Sequence, residues 1–238
     1  MKLFENLLDY DFDQVYTHFR EEFYKDDFLI NHRNYIEKNV LGFGAKPFHA
    51  LWREIVRNQK DNFKFLEIGV YKGQILSLIK LLSKRYDKHC SILGVSPLIS
   101  AGDKYSQYES VNYKEIIHNL FIHFEIEINF ENEFLEGYST HENIKSQIRS
   151  RGPFDVVYID GCHDYECVIS DISLAKEITT SGSLIVMDDA SCFKNTSRYY
   201  PFLGHPEVCR AVSEKIEKSD LFEEIICVGH NRVFKRIK

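Results

Sequence analysis

Two short apolar runs that each stop on acid constrain this chain more than any other feature. Val156-Val157-Tyr158-Ile159 ends at Asp160, and Leu184-Ile185-Val186-Met187 ends at Asp188-Asp189. Short apolar runs bounded by turn signals read as strands buried on both faces, as in a parallel sheet. The segment 165–179 between them reads as a helix, so the unit is strand, crossover helix and parallel strand. Its carboxyl edge gathers three carboxylates, with His163 three residues past the first. Ligands of open α/β sheets bind at that edge. Clustered carboxylates repel unless a cation or a shared proton relieves them, which makes the edge a metal-site candidate with a base beside it.

The same alternation begins at residue 63. Strands are expected over 63–68, 91–95 and 133–136, with 124–128 competing for the third, and helices over 74–85, 112–123, 141–150 and 206–218. The last two strands, 222–228 and 232–237, are joined by Gly229-His230-Asn231, a hairpin signal. Residues 1–60 form a separate helical cap and 61–238 the sheet domain. The cap carries Phe4, Tyr10, Phe12, Tyr16, Phe19, Phe23, Tyr24 and Phe28, a stripe suited to core packing or to homo-oligomer contacts.

Thirty Lys and Arg against 36 acids leave a net charge of -6 without a basic patch, which argues against a nucleic-acid partner. No apolar run reaches the ~20 residues that cross a bilayer. The N-terminus is too acidic for a signal peptide, so a cytoplasmic location is expected. Six cysteines without a C-x-x-C pair read as buried reduced thiols. Cys162 alone lies inside the candidate site.

Phe65-Leu66-Glu67-Ile68-Gly69-Val70-Tyr71-Lys72-Gly73 sets two glycines four apart between a strand and a helix. Glycines there allow a tight turn and close backbone approach to a ligand at the helix start. The spacing matches neither dinucleotide nor P-loop patterns, which disfavours NAD and nucleoside triphosphates. On Glu67-x-Gly69-x-x-x-Gly73 and the FDVVYIDG and GSLIVMDD strands, the chain resembles class I S-adenosylmethionine-dependent methyltransferases over residues 45–237. The resemblance implies an α/β fold: a Rossmann-like, seven-stranded, mostly parallel sheet with an antiparallel C-terminal hairpin. It also implies that Gly69 and Gly73 face the methionine end of S-adenosylmethionine, with Glu67 and Tyr71 beside them. The second strand ends at Ser96-Pro97 without the acid that usually holds the ribose. Ser96 offers one hydrogen bond, and Asp103 in the next loop is placed to reach back. Tyr138 and Ser139 are candidate adenine-edge contacts.

The finer resemblance is to metal-dependent sugar O-methyltransferases of the macrolide type. It implies Mg²⁺ on Asp160, Asp188 and Asp189, with Asp160 also touching the cofactor and His163 as general base. The residue types agree, since oxygen ligands suit a hard cation and histidine titrates near working pH. Asp164 reads as helix N-terminal charge and Asp171 as a helix-face residue. In the loop 199–206, Tyr199 and Tyr200 suit ring stacking or packing, and His205 reads as leading into a helix. Lys194 and Arg198 read as phosphate contacts or plain surface cations. The His230-Asn231-Arg232 turn carries the same ambiguity. The expected activity is methylation of a hydroxyl on a small sugar or nucleotide-sugar in glycan, capsule or natural-product synthesis. Alternatives are a phenolic, catechol or phosphate-type acceptor, or a non-catalytic cofactor-binding scaffold. Neither nucleic acid nor membrane is an expected partner.

Overall fold

The computed structural model describes residues 4–7, 9–106, 108–192 and 198–238. After a 3-10 turn at Glu5–Leu7, three helices precede the sheet: α1 (Phe12–Tyr24), α2 (Asp27–Lys38) and α3 (Pro47–Arg57). Asp11 and Gln14 close a reciprocal capping box at the start of α1, worth roughly 1 kcal/mol. Pro47 occupies the first turn of α3, where its missing N–H costs nothing.

The sheet then alternates with helices: β1 (Asn62–Ile68), α4 (Gln74–Arg85), β2 (His89–Ser96), α5 (Tyr113–His123), α6 (Phe130–Glu133), β3 (Phe134–Glu136), α7 (Glu142–Arg151), β4 (Phe154–Ile159), α8 (Tyr165–Ile178) and β5 (Thr179–Met187). The chain ends with α9 (Pro206–Val212), a π-helical turn at Ser213–Glu217, β6 (Phe222–Val228) and β7 (Asn231–Arg236). The single late helix expected over 206–218 therefore changes pitch at Ser213. Glu217, in that turn, pairs with the buried Arg232, which Glu224 also contacts.

Seven strands form one sheet in the order β3-β2-β1-β4-β5-β7-β6. The first five run parallel, and β7 pairs antiparallel with both β5 and β6. The expected fold class holds, and the third strand is the 134–136 run. The competing stretch 124–128 follows α5 as an irregular connection.

Side chains alternate across the sheet. Phe65, Val156, Tyr158, Val186 and Val233 join one core with residues of α1 to α5, whereas Leu66, Val157, Ile159, Ile185 and Phe234 join a second with α7, α8 and α9. The aromatic stripe of the N-terminal helices belongs largely to the first core. Phe4, Tyr16, Phe19 and Phe23 are buried, while Tyr10 and Tyr24 remain exposed. Trp52 of α3 meets Phe65 and Tyr158 edge-on at 5.7 and 5.0 Å, fixing that helix over the sheet centre. Among the described residues, no helix is long and apolar enough to cross a membrane.

One expectation is corrected. Cys192 and Cys209 form a disulfide across 17 residues, while Cys90, Cys162, Cys167 and Cys227 remain thiols. A search for closely spaced cysteines misses such a pair, because it is the returning chain that brings the partners together. Ala190 bridges Gly204, and the His205 N–H donates to the Asp189 carbonyl at 3.0 Å.

Candidate active site

The ends of β1, β4 and β5 lie side by side because the strands are in register: Ile68 faces Ile159, and Ile159 faces Met187. The residues that follow these strands therefore share one edge. Backbone bonds continue past the strands, with the Asp160 N–H donating to the Ile68 carbonyl at 2.9 Å and the Asp188 N–H to the Ile159 carbonyl at 3.0 Å. Gly69 has φ +103°, and a Cβ there would lie 2.0 Å from the Asp160 carbonyl oxygen. Gly204 has φ +113°, and its Cβ would lie 2.0 Å from the Asp189 carbonyl oxygen. Both glycines let a neighbouring chain press directly against the backbone of an acid.

A cavity of about 610 Å³ opens at this edge. Glu67, Asp160, His163, Asp188, Asp189 and His230 form its polar floor, and Phe43, Tyr71, Tyr105, Tyr108 and Phe202 stand among its walls. Phe43 stacks on Tyr71 at 4.9 Å and Tyr71 on Tyr108 at 5.0 Å. A second cavity of about 190 Å³ adjoins it, sharing Gly69, Ser106 and Tyr108. Ser96, Asp103, Tyr138, Ser139, Gly161 and Cys162 line this smaller space.

Three histidines surround the acid pair. His163 Nδ1 lies 2.7 Å from Asp103 Oδ2, and its Nε2 lies 3.1 Å from Asp189 Oδ2. His205 Nε2 approaches the same Asp189 oxygen at 3.3 Å. His230 Nε2 faces the other edge, 3.3 Å from Asp188 Oδ1 and 3.8 Å from Asp189 Oδ1. Tyr158 donates its hydroxyl to Asp160 Oδ2 at 3.0 Å.

The electrostatics follow from burial and these pairings. Burial, then the Asp188 and Asp189 charges, push the Asp160 carboxyl well above its usual range, and it hydrogen-bonds Asp188. Burial acts the same way on Asp188, but His230 outweighs it and holds that carboxyl low. Burial depresses His163, yet hydrogen bonds to Asp189 and Asp103 outweigh it and leave its pKa raised. Asp103 is held low despite burial by the backbone N–H groups of His163, Tyr105 and Ser106. Burial pushes Glu67 up to about 8 against a backbone hydrogen bond from Leu76.

The family profile described as Methyltransferase domain matches residues 66–190. The chain belongs to this methyltransferase family. Among curated proteins, the methyltransferase is 27% identical over 186 residues to an uncharacterized protein of Acanthamoeba polyphaga mimivirus, covering 76% of this chain and 72% of that one. Among solved structures it is similar to the S-adenosylhomocysteine-bound methyltransferase PaMTH1 of Podospora anserina, with TM-score 0.59 and 11% identity over 90% of this chain and 88% of the other. It is likewise similar to a Bacillus cereus O-methyltransferase in complex with S-adenosylhomocysteine, with TM-score 0.56 and 15% identity over 90% and 91% of the two chains. The expected class I methyltransferase family and fold are thereby borne out.

The residues singled out in the sequence divide between the two cavities of the methyltransferase. Glu67, Gly69, Tyr71, Asp160, His163, Asp188 and Asp189 line the larger, and Ser96, Tyr138 and Ser139 the smaller. Gly73 lines neither; it precedes α4 and packs against Ile117. Asp103 lines the smaller cavity with Ser96, and its Oδ2 also accepts from the His163 N–H and meets the His163 ring. Asp171 lies on α8, on a face turned inward, where it is buried beside Gly161 and bonded by Ser139. Tyr199 is exposed beneath Arg20, whereas Tyr200 stacks on Tyr16 and bonds His230. Arg198 is exposed, and Lys194 lies outside the described residues. Sequence reasoning gave His205, His230 and Tyr200 no role at the acids. Their signal was topological: β7 pairs with β5 so that Met187 faces Arg232, which brings the preceding hairpin turn beside Asp188.

Proposed function

We propose that this protein is an S-adenosylmethionine-dependent O-methyltransferase that acts, with a divalent cation, on a hydroxyl of a small sugar or nucleotide-sugar metabolite. The observation that carries the reading is His163, held on Nδ1 by Asp103 and directing Nε2 into the larger cavity beside the acid pair. A histidine oriented by a carboxylate on one nitrogen is the arrangement of a general base.

The residues present fit the methyl donor. Glu67 lines the larger cavity, and its Oε2 is buried without a hydrogen bond among the described residues, an acceptor suited to the donor's ammonium group. Ser96, Tyr138 and Ser139 lie in the adjoining pocket, on the side suited to adenosine. When bound, the donor supplies an electrophilic methyl group on sulfonium. The acids fit a cation as well, because Asp188 and Asp189 form a tight carboxylate pair, the first half-buried and the second buried. Mg²⁺ is the first reading of such a pair, and when bound it lowers the pKa of a coordinated hydroxyl. His163 takes the hydroxyl proton on Nε2 as the oxygen gains the methyl, and Asp103 stabilises the resulting imidazolium. The aromatic walls exclude water and hold the acceptor ring, so positioning supplies much of the rate.

The stacked Phe43, Tyr71 and Tyr108 rings favour a flat phenolic acceptor as the second reading. The test is a methylation screen over nucleotide-sugars, free sugars and catechols, scored by mass and by S-adenosylhomocysteine release, with and without chelator. Turnover on a hydroxylated acceptor that rises with pH past the ordinary histidine value of 6.5 is expected, since His163 accepts a proton only when neutral and its pKa is raised. Failure to bind S-adenosylmethionine at millimolar concentration sinks the reading.

A further inference from the structure

The donor groups at the acid corner are not the oxygen-only set that suits Mg²⁺. We propose that His230 is a metal ligand, joining Asp188 and Asp189 in a mixed nitrogen and oxygen site that selects a borderline transition cation over Mg²⁺. The proposal rests on reading this corner as a cation site.

Four observations converge on His230. The ligand atoms of Asp188, Asp189 and His230 all lie within 4.8 Å of one another. Metal–ligand bonds of about 2.1 Å place adjacent ligand atoms about 3 Å apart and opposite ones about 4.2 Å apart, so His230 Nε2, at 3.3 and 3.8 Å from the two carboxylates, stands at coordination spacing. Its Nδ1 is engaged by the Tyr200 hydroxyl at 2.8 Å, which fixes the ring and aims Nε2 at the acids. Metal-bound histidines are held by a partner on the other nitrogen in this way. Phe48 and Phe202 brace the ring at 4.6 and 5.2 Å.

The fourth observation is the next residue. Asn231 is 1% exposed and lines the same cavity, yet both its amide nitrogen and its oxygen lack hydrogen bonds among the described residues. Two buried amide atoms without partners cost roughly 1–3 kcal/mol each unless a ligand or coordinated water satisfies them. His163 works from the opposite side of Asp189, on Oδ2, so base and ligand do not compete for one carboxylate oxygen. Imidazole raises affinity for Fe²⁺, Co²⁺, Ni²⁺ and Zn²⁺ far more than for Mg²⁺, which prefers oxygen and water.

The test titrates chelator-stripped full chain with Co²⁺ and, separately, with Mg²⁺ by calorimetry. The visible spectrum of bound Co²⁺ and binding of S-adenosylhomocysteine are recorded on the same samples. Co²⁺ should bind about 100-fold or more tighter than Mg²⁺. His230→Gln should cut Co²⁺ affinity about tenfold or more and change its spectrum, while Mg²⁺ affinity moves by less than about threefold. Tyr200→Phe keeps the imidazole but frees Nδ1; it should weaken Co²⁺ about tenfold and serves if His230→Gln does not fold. Equal losses for the two cations, or a Co²⁺ affinity and spectrum unchanged in both variants, overturn the proposal. Protein that binds S-adenosylhomocysteine but no cation overturns it and leaves the methyltransferase reading standing. Cation binding that depends on His230, without S-adenosylhomocysteine binding, supports the ligand assignment and sinks the donor reading.

Discussion

The two adjoining cavities solve the burial of acid in opposite ways. In the larger, Asp188 and Asp189 meet histidines on both sides, and Asp160 is pushed up by burial and by those two charges. Beside the smaller, Asp171 has no histidine, one of its oxygens lacks a partner among the described residues, and burial pushes its carboxyl up to about 7. His230 offsets the burial of Asp188, whereas only the Ser139 hydrogen bond and the more distant Lys145 work against the burial of Asp171. The acid corner should therefore govern turnover, and the smaller pocket should govern donor affinity and stability.

The strongest way to break that division is His163→Gln. It should lower kcat by about 10²–10⁴ while S-adenosylhomocysteine affinity, read by calorimetry, changes by less than about threefold. A comparable loss of affinity would merge the two regions. Ser139→Ala is the reciprocal variant. It removes one neutral hydrogen bond, worth about 1 kcal/mol, and should weaken S-adenosylhomocysteine binding about fivefold with kcat nearly unchanged.

The smallest effect sharpens the electrostatic contrast. The folded Asp171 carboxyl titrates near 7, against about 3.9 in an unfolded chain. Its contribution is full below about pH 4 and is lost as pH rises through 7, because the folded chain binds the extra proton across that window. Asp171→Asn should flatten this part of the pH–stability curve and raise Tm at pH 8 more than at pH 4. An unchanged slope between pH 4 and 7 would remove Asp171 as its source.

The acids were legible because each ends a buried strand, and strand ends of a parallel sheet share an edge whatever the loops do. Asp160, Asp188 and Asp189 follow from that rule alone. Their partners do not, because Asp103, His205 and His230 arrive on three separate loops. Asp103 spends its carboxylate on His163 through a loop contact 60 residues away in sequence, and no local pattern encodes it. His230 was within reach of inference: once β7 lies between β5 and β6, the hairpin turn has to sit at the acid edge. Asp171 reads in the sequence as a helix-face residue, and which face it occupies is decided only by how the helix lies on the sheet, so its burial has no local signal. The Cys192–Cys209 pair was hidden for the related reason that a long return of the chain, not spacing, brings the two together.

Gly69 and Gly204 press on the peptide groups of Asp160 and Asp189, not on their carboxylates. The anchors of the corner are thus main-chain atoms, indifferent to what side chain each position carries. Its ionic character can be rewritten, acid to amide or acid to imidazole, on an address that stays put. A lineage could exchange one cation for another, or dispense with a cation, by editing side chains alone, and the donor would still meet its acceptor at the same place.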